Sequence, residues 1–132
     1  MGVVPQADPA GGWRSYVAWP AAAPGEAPGR VVLLGSGGVL YPAGLLDPAL
    51  LLDAGRARRV CPTADDLWFW AVAVRAGVPR ICLDGRRPIP VKAQMRTPAL
   101  RDRNHLPDGN DAQFAAVIAE LELAPLLRGA AV

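Results

Sequence analysis

The sequence predicts an α/β fold in which two main helices pack on a small mixed sheet. Val31 to Leu34 is a continuous apolar run bounded by turn residues, which is typical of a strand covered on both faces. Leu67 to Val74 has no polar face, so it predicts a helix surrounded by protein. From Asn110 to Leu123 apolar residues recur at i, i+3, i+4 and i+7, which predicts an amphipathic helix on the same core. At 132 residues the chain is long enough for one modest domain.

Three strands are expected in the sheet, at Val31, Val39 and Ile81. The glycines of 35–38 allow positive φ between the first two strands, and Pro42 stops the second. Glycine and proline together make up 28 of the 132 residues, which predicts a folded chain with long loops.

Two further helix starts are visible from capping residues. Leu45 to Ala54 predicts a short helix with Asp47 as N-cap and Pro48 in its first position, ending at Gly55. Thr63 is a candidate N-cap for the apolar helix, which is predicted to reach Arg75.

Composition excludes several classes of protein. The formal charge is +2, from 14 basic and 12 acidic residues, which is too balanced to predict a nucleic-acid-binding surface. The chain start lacks the features of a signal peptide, and no apolar run approaches the ~18 residues of a membrane span, so a cytoplasmic location is expected. Residues 1–12 are predicted to be a flexible lead unless another segment holds them, with a domain at 13–124 and a tail at 125–132.

Cysteine and histidine are too few for a metal site. Cys61 and Cys82 form no Cys-x-x-Cys pair, and His105 is the only histidine, so zinc would lack ligands. Both cysteines are expected to be buried, reduced thiols. Cys61 precedes a helix start, where a thiol pKa can fall, but no partner nearby indicates nucleophilic work.

The adjacent carboxylates Asp65 and Asp66 have two interpretations. At a helix N-terminus both tend to stay ionised, and one could accept a proton from a bound hydroxyl. Alternatively, Thr63-x-x-Asp66 fits a capping box, in which Asp66 reaches back to the Thr63 amide. Asp65 has no such capping bond to make.

The glycine segment and the arginines are also open to two interpretations. Gly35 to Gly38 could hold a phosphate, but it lacks the Gly-Lys-Ser/Thr ending and the GxGxxG spacing, so a structural turn is the alternative. The arginines could bind a diphosphate or simply be solvated: Arg56, Arg58, Arg59, Arg86, Arg87, Arg96, Arg101 and Arg103.

Several segments between Trp13 and Leu123 form a combined pattern. The most specific is Cys61-Pro62-Thr63-Ala64-Asp65-Asp66-Leu67-Trp68-Phe69-Trp70. The supporting segments are Tyr16-x-x-Trp19, Gly37-Gly38-Val39-Leu40-Tyr41-Pro42, Ala76-Gly77-Val78, Asn104 and Asn110-Asp111-x-Gln113. Together they resemble the acceptor-side, C-terminal half of bacterial GT-A-type glycosyltransferases, which make capsular polysaccharide and lipopolysaccharide.

The resemblance implies a set of site residues and ligands. In GT-A enzymes the acidic pair at the start of this helix supplies the base for the acceptor hydroxyl, a role that would carry over to Asp65 or Asp66. The expected substrate-binding residues are Gly37, Gly38, Tyr41 and Trp68. A nucleotide-sugar and a glycan acceptor are the implied ligands.

The sequence also departs from that family. It contains no Asp-x-Asp metal motif ahead of the glycine segment, and the nucleotide-binding strands have no counterpart. The resemblance therefore implies no cofactor in this chain alone, and Mn²⁺ or Mg²⁺ only if a donor-binding half is supplied. It also implies association, either with a second copy or with a partner chain that carries the N-terminal half.

The favoured function is the acceptor-side portion of a glycosyltransferase that moves a sugar from a nucleotide-sugar to a surface-polysaccharide acceptor. A non-catalytic binding or assembly module derived from that fold is the alternative, so enzymatic activity stays open. A small hydrolase using His105 and Asp108 would require both to line one pocket. The sugar donor, the acceptor and the linkage are not defined by the sequence.

Overall fold

A computed structural model of the chain describes residues 1–25, 29–83, 102, 104, 106 and 109–128. Strands β1 (Gly2–Val3) and β2 (Val32–Leu33) form an antiparallel sheet, and single 3₁₀ turns occupy Tyr16–Ala18 and Gly35–Gly37. Five α-helices lie wholly within the described ranges: α1 (Pro48–Leu51), α2 (Ala54–Val60), α3 (Asp65–Arg75), α4 (Asn110–Glu120) and α5 (Ala124–Arg128). The fold is of mixed α/β class, as predicted. None of the described helices has the length and apolar character needed to cross a membrane.

The sheet takes one of its strands from the N-terminal segment. Gly2 pairs with Leu33, and Val3 pairs with Val32. On the other side of β1, the N–H of Ala22 donates to the Gly2 carbonyl at 2.9 Å. The segment that was expected to be loose unless held is therefore fixed by backbone hydrogen bonds on both sides.

The strands predicted at Val39 and Ile81 are wrong for the described part of the chain, where the sheet is antiparallel and two-stranded. Gly38, at φ +82°, turns the chain after β2, and the segment that follows has no ladder partner. At the edge of β2 that faces away from β1, Arg80 donates from Nε to the Val31 carbonyl at 3.1 Å. A side chain therefore occupies the edge at which a third strand was expected.

Arg80 is a buried guanidinium with backbone partners. Besides Val31, it donates to the carbonyls of Val78, at 2.6 Å, and Gly29. Burial lowers the pKa of Arg80. Through these bonds Arg80 links residues 29–31 to the segment that follows α3.

Helix α3 is the centre of the core. It packs against β2, α1 and α4. The buried residues of α3 are Leu67, Trp68, Trp70, Ala71, Val72, Ala73 and Val74. The prediction of a helix surrounded by protein is confirmed.

An aromatic cluster joins the N-terminal segment to α3 and α4. Phe114 of α4 makes edge-type contacts with Trp19 at 4.6 Å and Trp13 at 5.4 Å between ring centroids, and a tilted contact with Trp70 at 5.0 Å. Such geometries add to the stabilisation that burial of the rings gives.

The amphipathic helix predicted over Asn110 to Leu123 is confirmed as α4, although it ends at Glu120. Its predicted apolar stripe is buried: Phe114, Val117, Ile118 and Leu121. Part of the predicted tail is folded, because Leu127 of α5 is buried and its carbonyl accepts from Arg30 Nε at 3.2 Å.

The helix predicted over Leu45 to Ala54 is two helices. Its N-cap is confirmed, since Asp47 Oδ1 accepts the Ala49 N–H at 2.9 Å. However, α1 stops at Leu51, and Asp53 caps a second helix, α2, by accepting the N–H of Arg56 at 2.9 Å. Gly55, predicted to end the first helix, lies inside the second.

Trp70→Ala should lower the free energy of unfolding by ~3–5 kcal/mol, as large core truncations do. The Trp70 ring is 2% exposed, contacts Phe114, and donates its indole N–H to the Arg30 carbonyl at 3.2 Å. Urea unfolding measures the change. Val17→Ala, at a side chain that is 65% exposed, is the control and should change stability by less than about 0.5 kcal/mol. If both variants lowered the free energy of unfolding equally, α3 would not be the centre of the core.

Candidate functional site

The acidic pair and the glycine segment meet on one face of the molecule. The backbone N–H of Gly35 donates to Asp66 Oδ1 at 2.8 Å, which joins the 3₁₀ turn after β2 to the first turn of α3. A β-carbon at position 35 would lie 2.7 Å from that oxygen, closer than β-carbons approach in proteins. Glycine at this position therefore permits the contact.

The capping box predicted as one interpretation of the acidic pair is not formed. Helix α3 begins at Asp65, and its N-cap residue, Ala64, has no side-chain cap. The N–H of Thr63 donates to Gln113 Oε1 at 3.0 Å rather than to Asp66. Asp66 is thus engaged with the glycine turn, and Asp65 Oδ1 accepts the Asp66 N–H at 3.1 Å.

The two carboxylates have different environments. Asp65 is exposed, whereas Asp66 is half-buried. Burial raises the pKa of Asp66 above its ordinary value of 3.8; the hydrogen bond from Gly35 opposes this shift, and the charge on Asp65 adds to it. Within the described residues, the second carboxylate oxygen of Asp66 accepts no hydrogen bond. Asp66 is therefore the better placed of the two to take up a proton.

Two tyrosines lie near the pair. Burial raises the pKa of both Tyr16 and Tyr41, and the negative charge of Asp66 raises both further. Tyr41 stacks on Phe69 with 5.3 Å between ring centroids, and it stays partly exposed. The ring of Tyr16 packs on that of Trp19, with 4.9 Å between ring centroids. The face thus combines carboxylates with aromatic rings, which offer apolar surface and phenolic hydroxyls together.

The expected substrate-binding residues separate into two groups. Gly37 and Gly38 are exposed on the turn that Asp66 holds, and Tyr41 follows them on the chain. Trp68 is different, because it is 3% exposed and donates its indole N–H to the Leu51 carbonyl at 3.2 Å. At that burial Trp68 is a core residue and has no surface to offer a ligand.

Sequence reasoning assigned no role to the residues that hold this face in place. Asp111, in the first turn of α4, accepts from Ser15 Oγ at 2.7 Å and from the Tyr16 N–H at 2.6 Å. Gln113 is buried beside Phe114 and binds Thr63. Burial of Gln113 could have been predicted from its place next to Phe114, on the apolar stripe of the predicted helix.

Both cysteines are buried free thiols, as predicted. Burial raises the pKa of Cys61 to about 12, so the nearby helix start does not activate this thiol. A nucleophilic role for Cys61 has no support.

A separate cleft of about 700 Å³ lies between α1, α2 and the C-terminal ends of α3 and α4. Most of its carboxylates already have structural partners. Asp47 and Asp53 cap helices, and Glu120 accepts from Arg56 at 2.6 Å and from Arg59 at 2.8 Å. The cleft therefore leaves few polar groups to orient a ligand, and the face around Asp66 is the stronger candidate.

Metal ligands are not grouped in the part of the chain that the structure describes, where no cluster of three His, Cys, Asp or Glu residues could hold an ion. The alternative hydrolase pair, His105 and Asp108, lies outside the described residues.

Comparisons of the chain with protein-family models, with curated proteins and with solved structures found no match. The resemblance to GT-A glycosyltransferases therefore stays a prediction that depends on the sequence segments alone.

Asp66→Asn tests the electrostatics of the site. Because the folded pKa of Asp66 is raised, its stabilising contribution is complete below about 3.8 and is lost as pH rises through the folded pKa. An amide keeps an oxygen for the Gly35 N–H and does not titrate. The stability of the variant relative to the native chain should therefore increase as pH rises above 3.8. Urea unfolding between pH 3 and 7 measures this difference in the free energy of unfolding. A difference that does not change with pH would contradict the raised pKa of Asp66.

Cys61 should resist alkylation in the folded chain. A thiol of pKa about 12 is about 10³-fold less ionised at pH 8 than one of pKa 9.0, and the thiolate is the reactive form. Iodoacetamide labelling at pH 8, followed by peptide mass spectrometry, should show Cys61 protected in buffer and labelled in urea. Labelling at equal rates in both conditions would refute the burial of this thiol.

Proposed function

We propose that this chain is the acceptor-side portion of a glycosyltransferase that moves a sugar from a nucleotide-sugar to a surface-polysaccharide acceptor. The observation that carries the proposal is the 2.8 Å hydrogen bond from the Gly35 N–H to Asp66 Oδ1. This bond connects the turn that leads into the Gly37–Pro42 segment with the acidic pair of the Cys61–Trp70 segment, and it orients a half-buried carboxylate near Tyr41. A general base and an apolar surface for a sugar ring are thereby close together.

Asp66 is the proposed base. Its raised pKa makes it a stronger proton acceptor than an ordinary exposed aspartate, and the bond from Gly35 limits its rotation. In the proposed transfer, the acceptor hydroxyl gives its proton to Asp66 while its oxygen bonds to the anomeric carbon of the donor. The bond from that carbon to the diphosphate oxygen breaks, and its electron pair leaves with the nucleoside diphosphate.

Asp65 has a supporting role in this proposal. It is exposed, and its charge contributes to the raised pKa of Asp66. Removal of that charge would weaken the base without removing it. The two adjacent aspartates therefore have unequal roles.

The aromatic surface is proposed to carry the acceptor. Pyranose rings present an apolar C–H face and hydroxyl edges, and Tyr41 on Phe69 offers an aromatic face within the field of both carboxylates. In the turn beside it, Gly37 and Gly38 have no side chains to obstruct a bulky glycan. The acceptor-binding part of the site would then lie in this chain.

The donor side is proposed to come from a partner chain with the nucleotide-binding half, and any divalent metal would belong there. Leu40, which precedes Tyr41, is 88% exposed, so its side chain is accessible to such a partner. A non-catalytic binding module is the second candidate. It would keep acceptor binding at Tyr41 and lack transfer even when the partner is present.

Acceptor binding can be tested with the chain alone. In saturation-transfer NMR with a panel of neutral oligosaccharides, at least one should bind, and Tyr41→Ala should weaken it roughly tenfold through loss of the aromatic contact. Leu52→Ala, at an exposed leucine of another surface, is the matched control and should leave binding unchanged. Calorimetry with uridine and guanosine diphosphate sugars plus Mn²⁺ should show no donor binding. Donor binding without saccharide binding would contradict an acceptor-side assignment.

Transfer is tested with a partner chain that supplies the donor half. Asp66→Asn should lower transfer by roughly 10²–10⁴-fold, the usual contribution of a general base. Asp65→Asn should instead move the acidic limb of the pH profile to lower pH, because loss of a neighbouring negative charge lowers the pKa of Asp66. If transfer is normal in Asp66→Asn, then Asp66 is not the base.

A further inference from the structure

Thr63, two residues before α3, is held by two amide side chains from the C-terminal part of the chain. Its N–H donates to Gln113 Oε1 at 3.0 Å, and its Oγ1 accepts from Gln113 Nε2 at 2.8 Å. Its Oγ1 also donates to Asn104 Oδ1 at 2.6 Å, and its carbonyl accepts from Asn104 Nδ2 at 2.9 Å. Every polar group of Thr63 has a partner. We call this arrangement the Thr63 clamp.

The clamp competes with the local capping interaction. In Thr-x-x-Asp sequences the carboxylate can accept the threonine N–H and close the first turn of the helix. Here Gln113 already binds that N–H, so Asp66 has no partner at Thr63. Its carboxylate binds Gly35 instead and stays on the face that holds Tyr41.

The clamp is rigidly supported. Gln113 is 5% exposed and lies in α4, next to Phe114, which contacts Trp70 of α3. Asp111, one half-turn earlier, fixes the Tyr16 backbone. The start of α4 thus holds both the residue before α3 and one of the tyrosines near Asp66.

We propose that Gln113 and Asn104 are positioning residues, which occupy Thr63 so that the Asp66 carboxylate is directed to Gly35 and the open face instead of capping α3. The role in sugar transfer rests on the proposed function, whereas the choice of partner by Asp66 does not. Removing the clamp should therefore move Asp66 from Gly35 to Thr63, whatever reaction the site performs.

The test follows two backbone amides by NMR during a pH titration. In the native chain the Gly35 amide proton should lie downfield and titrate with the Asp66 carboxyl, while the Thr63 amide should not. In Gln113→Leu the titration should move from Gly35 to Thr63, and amide exchange at Gly35 should become about tenfold faster. Burial raises the pKa of the nearby Tyr16 and Tyr41 above the ordinary 10.0, so they do not interfere in the acidic range.

Two further variants separate positioning from general destabilisation. Gln113→Glu keeps an acceptor for the Thr63 N–H and should restore the titration at Gly35. Only the Gly35 amide is read in this variant, because the new carboxylate itself makes the Thr63 amide titrate. Arg56→Met removes a different contact of α4, the pair with Glu120, and should leave both amides as in the native chain. If Gln113→Leu does not fold, Asn104→Ala removes half of the clamp and should give a smaller shift of the same kind.

The outcomes for the clamp and for the function are separate. An unchanged titration at Gly35 in folded Gln113→Leu, or an equal change in Arg56→Met, would overturn the positioning role. A titration that moves to Thr63 would support it, even if Asp66→Asn transferred sugar normally. In that case the positioning role of Gln113 and Asn104 would be supported, and the proposed glycosyltransferase function would be wrong.

Discussion

The structure depends on one constraint, which is that α3 has to be covered by protein on nearly every side. An apolar helix loses stability wherever water reaches it, and a chain of 132 residues has few elements with which to cover one. Here β2, α1 and α4 each pack on α3, and the N-terminal segment adds Trp19 through the cluster around Phe114. Segments distant in sequence therefore meet at this helix.

Local patterns predicted the elements that local forces form. The apolar run of α3, the stripe of α4 and the cap at Asp47 all depend on residues within a few positions of one another, and the structure contains all three. The run Val31 to Leu34 correctly predicted β2, but its partner was missed because that strand, Gly2–Val3, is too short to show any alternation. A strand of that length is defined by its partner and not by its own sequence.

The site shows the same division. Its acidic pair was visible in the sequence, because two carboxylates at a helix start are a local feature. The partners of Asp66 and of Thr63 were not, because Gly35 lies 31 positions from Asp66 and Gln113 lies 50 positions from Thr63. The local sequence predicted a capping box, but the side-chain amide of Gln113 binds the Thr63 N–H instead. Trp68 was assigned to the ligand from its place in a motif, yet the packing of α1 against α3 makes it a core residue.

Arg80 has a consequence for how this protein behaves in a crowded solution. A two-stranded sheet leaves a row of unpaired backbone groups, to which a strand of another chain can add, and unprotected rows of this kind promote aggregation. At the edge of β2 that faces away from β1, the Val31 carbonyl is bound by a buried cation. An incoming strand would have to displace the guanidinium from the Val31 carbonyl, while its bonds to the Val78 and Gly29 carbonyls hold it in place. Arg80 therefore protects the sheet against addition of foreign strands, a task that larger sheets assign to bulges and prolines.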